Sequence, residues 1–550
     1  MAPSNHEQTA KMRYKSPAKR PRESPISRKD VQEITTAIHQ SVTTKQRLLV
    51  LRRLLSLLTC DDEAIGNDGE AGPSVIFDLV EAGTVHALCL QLGFVLHRHG
   101  SSKEELEQIC FALEHFFRRC PHLTRENSLH DMGPDLFQLL KNAFDRGAVH
   151  SVVSIWHSWS GSSFGATLLL NCPGVIPAIV EYLQNELRGE SSLMEALGLL
   201  KNLSFYADDY RQRFVEQPGL LSTLTKVPFF DANDKVQERL SAVFRNLVIS
   251  PETRLILAQQ PDVFSALVRM ASYNNRNTLR NILNTLVSLA MDTESSLLMV
   301  FHGDGILIET MKRLVAHDSD VVIRKRAARA LRLMARETSA PMLVHDFRLM
   351  ETLSHHALHD CNDEVRAEAA EAFARCAGLI TAPMSQHQAV LDALTHLACS
   401  PLVLPEVIAR AVKEQASHPE NREPMAKREH LMAALSKIAI STESPRSAKE
   451  DVCLALLDLS REEGTRLFLA TSSIFEALVR NSLGRREDHS RLREYAVRTL
   501  LNLALVPSNR KAMANHFSLL PALLQFAAAN PTNILKTEVK SVILQLAEEL

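Results

Sequence analysis

Apolar residues recur along most of this chain with the period of a helix, and one apolar pattern repeats. It has a small or apolar residue, an apolar residue, two variable positions, and then Leu followed by a small residue. Clear copies are GLLKNLS (198–204), TLVSLA (285–290) and TLLNLA (499–504). We call the fourth position of each copy its register position; these lie 39 to 45 residues apart and are His115, Ser158, Asn202, Asn246, Ser288, Leu333, Arg375, Glu414, Asp458, Asn502 and Gln545. This spacing predicts a chain of similar structural units.

A second apolar pattern precedes most of these copies and has two apolar residues, two variable positions and usually Leu. Its second residues, 41 to 45 residues apart, are Leu221, Phe264, Leu307, Met350, Leu391, Met432, Phe475 and Leu520. Both patterns keep a fixed phase and place apolar residues at i, i+3 and i+4. They therefore predict two helices in every unit.

Glycine, proline and short polar stretches mark the turns. Pro173-Gly174, Pro218-Gly219 and Gly305 precede copies of the second pattern, where Gly can end a helix with a positive φ. The stretches PETR (251–254), PENR (419–422) and PSNR (507–510) follow the first pattern. We expect their Asn and Ser to cap a short helix. Each unit is thus predicted to contain a short helix, a middle helix and a longer third helix.

These features together resemble the armadillo repeat. TLLNLALVPSNRKAM (499–513) and GLLKNLSFYADDYRQRFVEQPGL (198–220) are the best copies, and the resemblance covers about residues 80–550. It implies an all-α fold, a right-handed α-solenoid of about eleven armadillo-type repeats with a long concave groove. RKRAARALRLMA (324–335) and DEVRAEAAEAFARCA (363–377) are similar to HEAT repeats, so we expect HEAT character in the middle units.

The predicted domains are a disordered basic tail (1–29), N-terminal capping helices (30–60), an acidic loop (61–78) and the armadillo-type solenoid (79–550). The tail carries eight Lys or Arg against two Glu, a charge of +6. Since the whole chain has a formal net charge of −2, the remainder carries about −8. This imbalance argues against nucleic acid as the ligand of the solenoid.

The tail contains two kinds of short motif. Lys19, Arg20, Pro21 and Arg22 resemble a classical nuclear-import signal, and a solvated tail is the alternative. Ser16 and Ser24 each precede a proline, as in proline-directed phosphorylation sites. A phosphate there would weaken the pairing of the neighbouring cations.

The nine cysteines include no CxxC pair and lie in apolar segments, for example Cys89, Cys110 and Cys453. We expect reduced, buried thiols of an intracellular protein of the nucleus, the cytoplasm or both. The sequence has no uninterrupted apolar stretch of the roughly 18 residues needed to span a membrane.

The third helices carry the candidate partner-binding residues. Asn202, Asn246 and Asn502 could bond a partner's backbone, or equally the backbone of a neighbouring unit. The candidate cations on neighbouring third helices are Lys201, Arg245, Arg280, Arg329 and Arg332, with Arg324, Lys325 and Arg326 as a local cluster. Such a row could hold an acidic extended segment, or it could simply be a solvated helix face.

Armadillo carriers of import cargo have a ladder in which Trp stands four residues before each Asn. Here those positions hold Gly198, Ala242 and Arg498, and the only tryptophans are Trp156 and Trp159. The cargo-carrier interpretation therefore lacks its main feature.

Catalytic and metal chemistry have little support. The sequence contains no GxSxG, GxxxxGK[ST] or HExxH motif, so we expect no catalytic residue and no cofactor. His355, His356 and His359 with Cys361 have a spacing that could bind a metal, but they fall where a helix ends in a polar turn, and we expect no metal.

The sequence thus favours a non-enzymatic scaffold or adaptor that binds other proteins, with acidic extended segments as candidates, along the groove of the solenoid. The alternatives are a nuclear-transport cargo carrier and, with less support, a nucleic-acid-associated nuclear factor.

Overall fold

The computed structural model describes residues 28–550 except 42, 61–74, 99–101, 121–122, 124–132, 173, 186–189, 208–209, 231–232, 274, 337–346, 380–387, 483–489 and 530–534. Residues 1–27 of the predicted basic tail, with the import-like signal at 19–22 and the two serines, lie outside the described residues. The chain divides into two compact units, residues 1–172 and 173–550. In both units the described secondary structure is helical.

The helices of the first unit begin at Arg28, two residues before the segment 30–60 predicted to cap the solenoid, so the last two residues of the predicted disordered tail are helical. They are α1 (Arg28–Gln40), α2 (Thr44–Cys60), α3 (Val75–Glu81), α4 (Thr84–His97), α5 (Lys103–Arg119), α6 (Gly133–Asp145), α7 (Val149–Trp159) and α8 (Ser163–Asn171). Helices α1 and α2 pack against α4 and α5, respectively. Helix α3 starts at Val75, within the segment 61–78 that was predicted to be a loop.

The second unit continues the same alternation of shorter and longer helices. Its helices are α9 (Val175–Asn185), α10 (Glu190–Tyr206), α11 (Arg211–Val215), α12 (Leu220–Leu224), α13 (Val227–Phe230), α14 (Asp234–Leu247), α15 (Pro251–Ala258), α16 (Pro261–Ala271), α17 (Arg276–Met291), α18 (Thr293–Phe301), α19 (Ile306–His317), α20 (Val321–Met334), α21 (Phe347–His359), α22 (Asp363–Ala377), α23 (Gln388–Ala398), α24 (Pro405–Ser417), α25 (Pro419–Ala426), α26 (Glu429–Ile440), α27 (Arg446–Leu459), α28 (Glu463–Leu469), α29 (Ser472–Ser482), α30 (Ser490–Ala504), α31 (Pro507–Ala514), α32 (Leu519–Ala529) and α33 (Leu535–Glu548). A 3₁₀ turn, His302–Gly305, joins α18 to α19.

All the register positions fall in helices, which we call the third helices: α5, α7, α10, α14, α17, α20, α22, α24, α27, α30 and α33. In the second unit each third helix packs against the next one along the chain, from α10·α14 to α30·α33. The helices that carry the second pattern, which we call the middle helices, pack in the same way from α16·α19 to α29·α32. This all-helical, serial packing is consistent with the predicted α-solenoid.

Helix α14 shows how the sequence produces a third helix. The side chain of Asn233 accepts hydrogen bonds from the backbone N–H groups of Lys235 and Val236 and so caps the first turn. The apolar residues then follow a helical stripe, and all are fully or almost fully buried: Val236, Leu240, Val243, Phe244 and Leu247. Removing each such side chain from water contributes roughly 1.5–3 kcal/mol.

The predicted glycine turns are confirmed. Gly174, Gly219 and Gly305 have φ values of 85°, 81° and 88°. A side chain at Gly219 would be strained by this backbone and would also meet Gln184 at 3.0 Å.

The predicted capping of the short helices by PETR, PENR and PSNR is wrong. In α15, α25 and α31 proline occupies the start of the helix, and the residue before it makes no side-chain capping bond. The polar residues lie within the first turn of the short helix, and their side chains point back to the end of the preceding third helix. Asn421 and Asn509 each donate to the carbonyl oxygen six residues earlier, both at 3.1 Å.

An arginine follows each of these asparagines and makes the same kind of bond, as do the equivalent arginines of α15 and α28. The Nε atoms of Arg254, Arg422, Arg466 and Arg510 donate to carbonyl oxygens six residues earlier, at 2.8 to 3.1 Å. The last carbonyls of a helix have no partner within the helix. The short helix therefore supplies the donors that complete the end of the third helix before it.

The expectation of buried thiols holds only in part. Cys110 and Cys453 are buried and Cys89 is half-buried, but Cys361 and Cys399 are exposed. Burial raises the pKa of the Cys110 and Cys453 thiols to about 12. Taken singly, no helix of the described residues is long and apolar enough to cross a membrane; α8 and α9 reach that length and composition only when they are counted together.

We predict that Asn509→Ala weakens α31. The substitution removes the bonds from Nδ2 to Leu503 O and to Arg466 O, both 3.1 Å long, and should cost about 1–3 kcal/mol. Native-state hydrogen exchange should show faster exchange of the α31 amides, whereas Ser508→Ala, an exposed neighbour, should leave them unchanged. Equal protection in the two variants would contradict this role of Asn509.

Candidate functional site

The candidate cations lie on one face of consecutive third helices. Lys201 and Arg245 stand one residue before the register position of α10 and α14, Arg329 stands four before that of α20, and Arg280 eight before that of α17. Residues at these offsets lie on the same side of a helix. We call this side of α10, α14, α17, α20, α22 and α24 the third-helix surface.

Two of the candidate asparagines bond the preceding third helix. Asn246 is 1% exposed, and its Nδ2 donates to Lys201 O at 3.0 Å and to Ser204 Oγ at 3.2 Å. Asn502 Nδ2 donates to Ser460 Oγ at 2.9 Å. Asn202 is half-buried. These contacts match the alternative in which the asparagines join neighbouring units, and contact with a partner stays a prediction.

Asn281 plays the same role but does not belong to the repeated sequence position. Its Nδ2 donates to Ser241 Oγ at 3.2 Å, and its Oδ1 accepts from Arg245 Nη1 at 2.9 Å. The guanidinium of Arg245 therefore bridges α14 and α17. Nothing in the apolar pattern distinguished Asn281 from other polar residues of α17.

Most of the arginine row is already paired with the next unit. Arg280 Nη2 lies 2.6 Å from Asp320 Oδ2. Arg332 contacts Glu368 at 2.8 Å and Glu371 at 3.2 Å. Because these carboxylates neutralise both guanidiniums, little of their charge is left for a partner.

Like charges nevertheless crowd the middle of the surface. Burial lowers the pKa of Arg326, and the nearby cations Arg280 and Arg245 lower it further, whereas Asp320 raises it. Arg326 Nη1 also donates to Arg280 O at 3.3 Å. This crowding makes an added negative charge favourable there.

Arg329 differs from its neighbours. It is half-buried, and its Nε, like that of Arg280, is shielded from solvent without an acceptor among the described residues. Unlike Arg245, Arg280 and Arg332, however, Arg329 makes no hydrogen bond or ion pair within the described structure. Its charge is therefore the least neutralised among the arginines of the row.

The cluster at 324–326 is mostly engaged within the protein. Arg324 is 8% exposed and forms two hydrogen bonds to Asp360, Nε to Oδ2 at 2.8 Å and Nη2 to Oδ1 at 3.0 Å. Lys325 pairs with Glu364 at 3.0 Å. Arg324 thus belongs to the junction between α20 and the end of α21.

The histidine-rich segment contributes to the same junction. His356 Nδ1 lies 3.0 Å from Asp360 Oδ2, and the backbone N–H of Asn362 donates to Asp360 Oδ1 at 3.0 Å. Burial raises the pKa of Asp360, but the hydrogen bonds from Arg324, Asn362 and His356 outweigh this and hold the pKa well below its usual range. Within the described ranges, His, Cys, Asp and Glu do not gather in groups of three that could hold a metal ion.

The two tryptophans are core residues of the first unit. Trp156 and Trp159 are fully buried. Trp156 stacks on Phe144 with 5.7 Å between ring centroids, and Trp159 meets Phe117 edge-on at 5.1 Å. Neither indole can stack on a ligand segment without leaving this core.

Comparison with known proteins gives the fold but no family. No family model and no curated protein sequence matches the chain. A solved structure from work on a conserved phosphorylation switch that controls the interaction between cadherin and beta-catenin is 12% identical, covers 86% of this chain and 94% of its own, and has a TM-score of 0.59. The crystal structure of an engineered protein is 19% identical over 86% of this chain and 98% of its own, with a TM-score of 0.41. The first likeness shows a shared helical fold, and the second is too low for a structural conclusion.

We predict that Asp360→Asn lowers the free energy of unfolding by about 3–5 kcal/mol at pH 7, because it leaves Arg324 buried without its charge partner. The carboxylate's pKa is lower in the folded chain than in the unfolded one. Its stabilisation is therefore fully present above an unfolded-state pKa of about 4 and is lost as the pH falls towards the folded-state value.

Urea denaturation followed by circular dichroism, at neutral pH and in steps below about pH 4, should show the difference from wild type shrinking with acid. Asp363→Asn is the control, since the Asp363 side chain is 82% exposed. A loss no larger than that of the control, or one independent of pH, would be inconsistent with a buried charge pair.

Proposed function

We propose that this chain is an armadillo-type α-solenoid of about eleven repeats that acts as a non-enzymatic scaffold, holding a segment of another protein on the third-helix surface. The observation that carries the proposal is the serial packing of the third helices. Their apolar stripes are covered by neighbouring helices, which leaves one continuous polar side. In a solenoid of this kind that side lines the concave groove.

The solved structure with a TM-score of 0.59 supports the proposal, because it comes from work on an interaction between two proteins. The support is limited to a common fold, since fold does not by itself determine function. We extend the proposal to the location of the protein in the nucleus, the cytoplasm or both.

We propose an acidic segment as the partner. Lys201, Arg245, Arg280, Arg326 and Arg329 place cations on four consecutive third helices, α10, α14, α17 and α20. Arg280 has a carboxylate partner, whereas Arg245 and Arg326 donate to neutral oxygens. Arg329 has no acceptor for its Nε within the described structure. An acidic chain would supply the missing anions.

The contacts of each cation decide whether its position is suitable for a charge-reversal test of binding. Reversing the charge of Arg332 would oppose Glu368 and Glu371, so lost binding could reflect damaged packing. Lys201 and Arg329 are half-buried and their side chains are not held by such pairs in the described structure. The double variant Lys201→Glu/Arg329→Glu therefore tests binding with less risk to the fold.

We expect the double variant to lose an acidic partner that the intact chain captures from a native lysate. With the partner purified, its affinity should fall by more than about tenfold, since two charge-assisted contacts are lost, and wild-type binding should weaken with added salt. Circular dichroism would establish that the variant remains folded.

Arg480→Glu, on the middle helix α29 with a side chain 57% exposed, is the matched control and should bind like wild type. A partner retained equally by all three proteins, or one recovered only as nucleic acid, would exclude the proposed acidic-segment site.

A further inference from the structure

Three consecutive third helices carry a large exposed apolar residue at the same place, three residues after the register position. Phe205 of α10, Ile249 of α14 and Met291 of α17 are 55%, 49% and 45% exposed. We call these three residues the apolar row. In the next four units the same place is taken by small or charged residues: Arg336, Gly378, Ser417 and Arg461. The exposed apolar choice is therefore particular to these three units, which makes it more than the scattered exposure of single apolar residues on any surface.

Hydrogen bonds between the third helices show that the row is level from one unit to the next. Asn246 Nδ2 donates to Ser204 Oγ at 3.2 Å, and Asn281 Nδ2 donates to Ser241 Oγ at 3.2 Å. In both pairs the serine lies two residues further along its helix, relative to the register position, than the asparagine. The same offset thus recurs at α10·α14 and at α14·α17. Residues at one place relative to the register position are therefore equally displaced at both junctions and form a line across the three helices.

The backbone beneath the row is already hydrogen-bonded. An arginine Nη2 donates to the carbonyl oxygen of each residue of the row: Arg211 to Phe205 at 3.4 Å, Arg254 to Ile249 at 3.1 Å, and Arg336 to Met291 at 2.9 Å. Carbonyls at the end of a helix have no partner within the helix and otherwise depend on water. Because these carbonyls have acceptor bonds inside the protein, a partner can exclude water from the row without leaving them unsatisfied.

Cations border the row on the side of the helix bodies. Lys201 and Arg245 stand one turn before Phe205 and Ile249, and both are half-buried. Within the described structure Arg245 donates to neutral amide oxygens. A partner that covers the row is therefore favoured if it carries Asp or Glu beside its apolar residues.

The spacing of the row fits a helix better than an extended chain. Helices that pack together lie about 8–10 Å apart, so a partner must present one apolar side chain at about each such step. Seven residues of an α-helix advance about 10.5 Å and return to the same face within about 20°. An extended chain covers that distance in about three residues, which places successive contacts on opposite sides of the strand. A helix therefore brings one apolar residue of each heptad to the row from a single face.

We infer that the ends of α10, α14 and α17 bind an amphipathic α-helix of another protein. Its large apolar residues lie seven positions apart and cover Phe205, Ile249 and Met291, and acidic residues beside them face Lys201 and Arg245. The inference rests on the proposed scaffold function and adds to it a second class of partner, one held mainly by apolar contact.

The test begins with selection of random peptides, about 21 residues long, displayed on phage against the full-length chain. Binders of the Ile249→Ser variant are removed at each round. This length allows both three helical heptads and an extended chain. We expect enriched sequences with Leu, Ile, Met or Phe at i, i+7 and i+14, with Asp or Glu beside them and no proline among them. Apolar residues at spacings of two or three, or proline between them, would overturn the inference.

A selected peptide, made synthetically, then tests the contact and its conformation. In fluorescence anisotropy it should bind Ile249→Ser about five- to tenfold more weakly than wild type, since the variant loses apolar area without changing charge. Circular dichroism should show that the peptide gains helix on binding, and proline at its central position should weaken binding by more than about tenfold. A peptide that stays unfolded when bound, or that tolerates the proline, would contradict a helical partner.

Leu505→Ser is the matched control. Leu505 holds the same place on α30 and is 60% exposed, but the adjoining units have Arg461 and Glu548 there, so it belongs to no apolar row. The control should bind the peptide like wild type. An equal loss in Leu505→Ser and Ile249→Ser would refute the site.

Two further outcomes separate this inference from the scaffold function. Peptides lost by Lys201→Glu/Arg329→Glu but bound equally by Ile249→Ser would overturn the helix site and leave the scaffold function standing, as would a selection that yields no binder dependent on Ile249. Sedimentation of the wild type as a dimer that Ile249→Ser dissociates would show that a second copy of the chain covers the row, and would overturn the inference in the same way.

Discussion

Each third helix packs part of its apolar stripe against the third helix of the next unit, and the rest of the structure depends on this contact. In α14 the stripe from Val236 to Leu247 is buried, and α10 and α17 both pack against the helix. A single unit would expose such stripes to water, so stability is shared between neighbours. Changes in length must therefore occur between helices, which explains why the register positions tolerate spacings from 39 to 45 residues.

Close packing of helix ends creates a second requirement, because the last carbonyls of each third helix need donors. Thr253 and Thr465 meet it with hydroxyls, Asn421 and Asn509 with amides, and the arginine that follows each of them adds a second bond. Every donor reaches back six residues. Asn509 also bonds Arg466 O of the preceding short helix, so one amide completes a helix end and joins two units.

Features that depend on the local sequence pattern were predicted, whereas features that depend on contacts between units were not. The apolar period located the third and middle helices, and Gly174, Gly219 and Gly305 have the predicted backbone. The capping prediction failed because proline sets the first helical residue, which moves Asn421 and Asn509 into the helix. The segments 337–346 and 380–387, where a short helix would separate armadillo from HEAT character, lie outside the described residues.

For the candidate site, the sequence identified the cations but not the carboxylates that neutralise them. The missed signal is an opposite charge slightly less than one repeat period further along the chain. The paired residues are 36 to 40 positions apart: Arg280 with Asp320, Arg324 with Asp360, and Arg332 with Glu368. Glu368 also lies 39 residues after Arg329, so this separation alone does not distinguish Arg329 from the paired arginines. Which arginine each carboxylate contacts depends on how the helices pack.

This pairing changes how charge on the third-helix surface should be understood. A buried pair such as Arg324 with Asp360 loses solvation when it forms, so its net contribution to stability is small compared with the cost of breaking it. The pair holds one unit against the next, and neither of its charges is then available to a binding partner. If the surface binds an acidic segment as proposed, specificity would depend on the few cations left without a carboxylate, and a partner would be selected by the positions of its acids more than by their number. The sequence places many cations on this surface, but after pairing only a few of them remain without a carboxylate partner.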